Sequence, residues 1–470
     1  MTWINLILLL LLTGCAPALQ TGAPIIQSVG IPNALIRNPA TKQTAATLIP
    51  HAWWHDFHDP ALDQLIEQAL VANPGLAEAQ ARLQLAQATV MRTASLTAVH
   101  IDSKNEVVRQ LSSKVGNHDI YNGKTATVAN VDPLTVSYHL DLWNRDGEII
   151  AASIDTQQYA AAQYRQSALM LSSAVIKTYF ALNTAQQLIA TQVQLIAMLQ
   201  QKNNIHLVAY RNGLQGKIDT LEPQHELLVA KASLAQLHYQ ADALQFALLE
   251  LLGKQASDTL PTMHTTQPIP TQFTLPARID LNLVAQRPDI EAALWQIKQQ
   301  THLERAARTA FYPNINLYAL TGFNSLGLQK LLTPGGFAYA FGPAIDLPIF
   351  EGGALEGALH QSEANYNLAV HAYNRSLLAA VHQIADALSA LQSRRSQLDD
   401  ATDSLALRTL QAHISDAAFH AGIIGELPYV DHAIQLNQQT TQQLEDTLYW
   451  LDSITDVATS LGGGFGDAPT

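Results

Sequence analysis

The sequence predicts a mainly α fold of long α-helical hairpins, carrying four β-strands per chain whose period-two pattern fits a transmembrane β-barrel and a half-buried soluble sheet alike. Three observations predict it. The intervals between Gly147 and Gly213 and between Gly357 and Gly422 contain neither glycine nor proline. Each is about 65 residues, so a continuous helix would be ~100 Å long at ~1.5 Å per residue. A stretch of period-two alternation rich in aromatic residues precedes each interval. The landmarks of the first half then recur in the second at a near-constant spacing.

The helices come first. Val175, Leu182, Ile189 and Ile196 are seven apart, as are Val370, Leu377, Ile384, Leu391, Leu398 and Leu405, with Ala412 and Phe419 continuing the register. A strict seven-residue repeat imposes a left-handed supercoil. Each long helix runs into a glycine suited to a helix C-terminus, and a shorter helix follows, over about 219–252 and 426–461. The hairpin tips fall near 211–219 and 421–430. Gly213-x-x-Gly216 matches Gly422-x-x-Gly425, and Leu252-Gly253 matches Leu461-Gly462, both 209 residues further on. Asn73-Pro74-Gly75-Leu76 likewise matches Arg287-Pro288-Asp289-Ile290, and Leu140-Asp141-Leu142 matches Ile345-Asp346-Leu347. A duplication is the simplest account. The expected organisation is a first repeat over 59–254, a linker over 255–279, a second repeat over 280–463 and a short tail.

The strands come next. Residues 135–142 place Val136, Tyr138, Leu140 and Leu142 on one face, and residues 337–347 place Phe337, Tyr339, Phe341, Ile345 and Leu347 on one face. Their partners are Val99–Leu111, which is polar, and Pro313–Asn324. A half-buried strand of a soluble sheet has the same pattern as a barrel strand. Four strands cannot close a barrel, and an open edge is not tolerated in lipid. If these strands lie in a membrane the chain must oligomerise, and three chains supply twelve strands.

Composition narrows the function. Of 470 residues only 14% are charged, against ~25% in an average soluble domain, while 48% are apolar. That excludes intrinsic disorder. The 26 basic and 39 acidic residues leave a net charge of −13, the wrong sign for a phosphate backbone, so no nucleic-acid partner is expected.

The single cysteine, Cys15, follows the apolar run Ile4–Leu12. That run is too short to span a bilayer and fits the core of an export signal. Leu12-Thr13-Gly14-Cys15 resembles a bacterial lipobox. The resemblance implies cleavage after residue 14, lipidation of Cys15 (palmitate included) and, with Ala16 next, release to the outer membrane. Residues 15–58 then read as a lipid-anchored extended leader. An ordinary export signal with an incidental cysteine is the alternative.

Taken in order, Trp53-Trp54, Phe57, Asp59-Pro60 and Leu65-Ile66, then Val136 to Trp143, Arg287 to Ile290, Ala306 to Pro313, Gly342 to Gly353 and Leu461 to Gly464 resemble the TolC-type outer-membrane factor family. Within it they are similar to the lipoprotein branch that serves tripartite efflux systems. The resemblance covers nearly the whole mature chain. It implies a homotrimer with a twelve-stranded barrel in the outer membrane and a periplasmic α-barrel. Its partners would be a periplasmic adaptor and an inner-membrane pump of RND, MFS or ABC type. Asn144 stands where the family has glycine, and Thr97 where it has proline.

The resemblance also implies sites. Arg211, Gly213 and Leu214, with Gly422 and Ile423 as the second-half counterpart, would dock the adaptor, although the glycines alone could simply end helices. Asp431 would line the closed periplasmic aperture, three copies forming a carboxylate ring that focuses a cation-attracting field. A solvated helix face is the plain alternative. His51, His55 and His58 have a spacing open to metal ligands, but they lie in the anchoring segment, and no metal or other cofactor is expected. His225-Glu226 begins a zinc-protease motif that Val229 breaks. With no nucleophile elbow, P-loop or dinucleotide fingerprint, no enzyme is expected. The function expected is a passive exit duct for drugs or other small toxic compounds. A type I protein-secretion channel and a pore-free periplasmic scaffold are the alternatives.

Overall fold

A computed structural model describes residues 52–115, 123–260 and 284–464. Cys15 and His51 lie outside the described residues. In chain order the elements are α1 (Pro60–Ala72), α2 (Pro74–Ala94), β1 (His100–Leu111), β2 (Thr125–Leu140), α3 (Arg145–Arg211), α4 (Leu221–Leu251), α5 (Pro288–Thr309), β3 (Asn314–Leu326), β4 (Phe337–Asp346), α6 (Ala354–His420) and α7 (Glu426–Ser460). The two long helices, α3 and α6, have 67 residues each. The chain divides into two compact units, one holding 82–160 and 292–374, the other the remaining described residues.

The first unit holds one antiparallel sheet in the order β1-β2-β3-β4. Antiparallel partners project to the same face, so the register sorts the side chains. Ile315 pairs with Leu140 and Ile345, Leu317 with Tyr138 and Pro343, Ala319 with Val136 and Phe341, and Phe323 with Val131 and Phe337. That face is apolar and aromatic, and Phe337, Tyr339, Phe341 and Ile345 on it are exposed. The opposite face carries the rows His139–Asn316–Ala344, Ser137–Tyr318–Gly342 and Asn130–Asn324, and on β1 Asp102, Lys104 and Glu106. Over β3 and β4 one face suits hydrocarbon and the other suits water, while β1 carries Asn105 and Arg109 on the first face and Val108 on the second.

The structure corrects the extent of β2. It begins at Thr125, ten residues before the period-two pattern suggests, and ends at Leu140, leaving Leu142 beyond it. Pro133 is the cause: it cannot donate to a ladder, and the pairing shifts between Val131 and Leu134 to accommodate it as a bulge. The bulge crowds its neighbour. A Cβ on Gly322 would stand 2.3 Å from Asp132 Oδ1 and 2.4 Å from Val131 O.

At the strand–helix joints Trp143 donates its Nε1–H to Pro313 O (2.8 Å) and stacks on Tyr312. Asn144 has φ +61°, a left-handed conformation that asparagine holds more readily than most side chains. Helix α5 packs Ile297 against Ala369 and Val370 of α6, and Gln299 Nε2 donates to Thr156 Oγ1 of α3 (2.9 Å).

In the second unit the heptad positions form the core. Val175 and Leu182 on α3 are buried, as are Leu377 to Leu398 in the α6 series, whereas Leu405, Ala412 and Phe419 are half-exposed. A short 3₁₀ turn over Trp53–Phe57 buries Trp53, Trp54 and Phe57. Asp59 then caps α1, accepting from the backbone N–H of Ala61 and Leu62, and accepts from the Tyr179 hydroxyl at 2.7 Å. Burial, reinforced by Asp59, pushes the Tyr179 hydroxyl well above its ordinary pKa.

Candidate functional site: the hairpin tips

Helix α3 stops at Arg211 because Gly213 turns left-handed, with φ +73°. Gly213 N–H then donates to Tyr210 O (3.0 Å) and Leu214 N–H to Ala209 O (2.9 Å). Helix α6 stops at His420 in the same way. Gly422 has φ +71°, its N–H donates to Phe419 O (2.9 Å), and Ile423 N–H donates to Ala418 O (2.9 Å). Both are Schellman turns, which satisfy the last carbonyls of a helix. In such a turn the residue after the glycine commonly folds back onto the helix. Here Leu214 is 78% and Ile423 77% exposed. A Cβ at either glycine would meet nothing within 4 Å. Conformation alone demands glycine at these positions, and the space around them is free.

Behind the tips the two hairpins pack on each other. Leu199 of α3 and Leu227 and Ala230 of α4 form one buried cluster with Val430 and Ile434 of α7. Phe419 stacks on Tyr429, with ring centroids 4.9 Å apart.

A charged shoulder lies beside this cluster. Lys202 Nζ of α3 sits 3.1 Å from Glu226 Oε2 of α4 and 3.4 Å from Asp431 Oδ1 of α7. Burial by itself would lower the Lys202 pKa, but the two carboxylates more than offset it and the net shift is upward. Neighbouring links are neutral or singly charged: Gln201 Nε2 donates to Glu426 Oε1, and Arg408 Nη1 to Gln435 Oε1. Arg211, Gly213 and Leu214 therefore stand on one tip, Gly422 and Ile423 on the other, and Asp431 stands behind them in an ion pair.

Sequence reasoning missed Lys202 and met Glu226 only as part of a false metal motif. The signal was available. In a hairpin, residues at similar distances from the turn face each other, and Lys202 lies eleven residues before Gly213 while Glu226 lies thirteen after it. Of the leader histidines, His55 pairs with Asp63 at 2.9 Å, and His58 Nδ1 lies 2.7 Å from Asp56 O. Among the described residues no group of three or more His, Cys, Asp or Glu side chains could hold a metal ion. Nor is any helix among them long and apolar enough to cross a membrane.

A strand sheet with one apolar face, together with long paired helical hairpins, defines a subunit of an outer-membrane channel. Comparison with known proteins gives the family. The model of the outer membrane efflux protein family matches residues 65–254 and 282–463, and the chain belongs to that family. It is 27% identical over 475 residues to the multidrug resistance outer membrane protein MdtQ of Escherichia coli O157:H7, covering 97% of each chain. It is 26% identical over 470 residues to MdtP of Escherichia coli O6:H1, covering 98% of this chain and 95% of that one. The Campylobacter jejuni CmeC outer membrane channel superposes with a TM-score of 0.82 at 22% identity, covering 97% of this chain and 96% of that one. Channels of this fold are trimers that combine an α-barrel with a β-barrel. The protein is thus an outer-membrane efflux channel component, and it moves solutes rather than transforming them.

Proposed function

We propose that three copies of the chain close one passive exit duct for drugs or other small toxic compounds. An inner-membrane pump of RND, MFS or ABC type would deliver them through a periplasmic adaptor and supply the energy. The observation that carries this reading is the sheet, whose edge strands are β1 and β4 and whose two faces have opposite polarity over β3 and β4. Joining β4 of one copy to β1 of the next leaves no edge in lipid, and three copies bring twelve strands within the known range for such barrels. Exposed apolar side chains on the second unit favour association too: Leu407, Leu410 and Ile414 on α6, and Leu221, Leu228 and Val229 on α4.

Within this reading Arg211, Gly213, Leu214, Gly422 and Ile423 receive the adaptor. Their apolar groups are exposed and their backbone is held rigid from behind. Asp431 lines the aperture, and Lys202 holds it against Glu226, so separation of α7 from α3 would uncover the carboxylate. Cys15 carries the lipid anchor. Both MdtQ and MdtP bear the name multidrug resistance proteins, which favours small toxic compounds over exported proteins as cargo.

The test is a planar-bilayer recording of the purified protein beside its mass in detergent. A trimer with stable conductance is expected. A single-chain particle that never conducts overturns the duct. For the tips, Gly213→Trp should leave the conductance intact and abolish drug resistance in cells. Unchanged resistance overturns the docking assignment.

A further inference from the structure

A cavity of about 390 Å³ opens in the second unit between α3, α6 and α7, and its origin is legible in the heptad. From Val370 to Leu405 every seventh residue of α6 is Val, Leu or Ile, but the next is Ala412. Across from it, α7 offers another small residue, Ala433. The bulk that fills the seam elsewhere is missing here from both sides, and both alanines line the cavity.

The rest of the wall has a definite chemistry. Met198 and Leu436 supply apolar surface, Tyr429 supplies an aromatic ring, and Asp416 supplies a carboxylate. His413 is the other ionisable side chain on the wall; among the described residues neither Lys nor Arg lines it. The nearest ion-pair partner of Asp416 is His420 Nε2, at 4.0 Å. A volume of this size lies within the range of small-molecule pockets. A carboxylate and an aromatic ring, on a wall that also mixes apolar side chains with the neutral polar Gln194, Thr409, Asn437 and Thr440, attract a cation through charge and through the ring quadrupole. We infer that this cavity is a binding site for one hydrophobic organic cation per chain, held by Asp416 and Tyr429 in the gap left by Ala412 and Ala433. The site lies in the helical wall directly behind the second tip, which it meets at Tyr429, and Asp431 does not line it. It does not depend on the duct reading.

Ethidium is a suitable probe, because it is a flat aromatic cation whose fluorescence rises on leaving water. Titrated into the purified full-length protein, it should saturate at one dye per chain. Ala412→Leu restores the heptad side chain and fills the gap. It should abolish the saturable signal while keeping or raising the melting temperature. Asp416→Asn, which keeps shape and removes charge, should weaken binding about tenfold. Saturable binding that survives Ala412→Leu would place the dye elsewhere, in the lumen for instance, and would overturn the assignment. Absence of saturable binding to the unmodified protein, or unchanged affinity in Asp416→Asn, would overturn it equally.

Discussion

In the first half of the chain, Asn73 donates its Nδ2–H to Leu251 O at the end of α4 (2.9 Å). In the second half, Arg287 donates its Nη1–H to Ser460 O at the end of α7 (2.8 Å). Ser460 is the residue 209 positions after Leu251, so the duplicated joint binds the same carbonyl twice. The glycines that follow repeat the tip geometry at the other end of each hairpin. Gly253 N–H donates to Glu250 O and Lys254 N–H to Leu249 O, while Gly462 N–H donates to Thr459 O and Gly463 N–H to Ala458 O. The chemistry of the joint has nevertheless diverged. Asn73 is neutral and spends its other amide atom capping α2 through the Leu76 N–H. Arg287 is a buried cation that also binds Asp289 and Gln383, tying α5, α6 and α7 together. The two halves share a backbone requirement and meet it with different side chains.

Deleting the two side chains tests that contrast most strongly. Arg287→Ala removes a buried guanidinium's hydrogen bonds to Ser460 O, to Gln383 and to the half-exposed Asp289 and should cost about 3 kcal/mol, the scale of charge-assisted hydrogen bonds. Asn73→Ala loses a cap and one hydrogen bond and should cost about 1–2 kcal/mol. Thermal melts of the two variants should keep that order, and equal losses would mean the joints are equivalent.

The glycines sharpen the comparison between the two ends of one hairpin. A Cβ on Gly253 would meet Ala72 O at 2.4 Å, whereas one on Gly213 meets nothing. Both need a left-handed conformation, which costs an ordinary residue about 1–2 kcal/mol. Gly213→Ala should therefore lower stability by about 1 kcal/mol, and Gly253→Ala by clearly more, read on the same melts.

A smaller effect belongs to the second half alone. Burial raises the Asp452 carboxyl to about 6; Lys177 opposes this and Asp456 adds to it. The corresponding residue of the first half is Ala243. A carboxyl whose folded pKa lies above its unfolded one binds more protons when folded, so stability should fall as pH rises from about 4 to 6. Asp452→Asn should remove that dependence and gain about 1 kcal/mol at pH 7, a figure already reduced for the solvent that still reaches the group. Melts of both proteins between pH 4 and pH 8 check it, and parallel curves would contradict it. Smallest of all, Tyr179→Phe should cost about 1 kcal/mol through the hydrogen bond to Asp59, and it should loosen the Trp53–Phe57 turn first, as amide exchange there would report.

Much of this architecture could be read from the sequence, for identifiable reasons. Long helices announce themselves by what they lack, and the absence of Gly and Pro placed the ends of α3 and α6 within a few residues. Strand β4 was readable because Phe337, Tyr339 and Phe341 alternate without interruption, and β3 as the partner that follows Pro313. The first ten residues of β2 were not, because Pro133 breaks the local pattern and its neighbour Gly322, nearly two hundred residues away, makes room for the bulge. The tip glycines were legible as helix ends. The partnership of Lys202 with Asp431 was not, because it joins α3 to α7, and no local pattern encodes which helices of a duplicated fold become neighbours.

The open ground around Gly213 and Gly422 bears on how such a protein changes over generations. Leu214 and Ile423 project from turns whose geometry is fixed by the backbone, so exchanges of these side chains are decoupled from folding. Lineages can drift at these two positions without first solving a stability problem. If the tips receive an adaptor as proposed, compatibility between systems should be transferable by grafting a handful of loop residues, while the long helices beneath stay as they are.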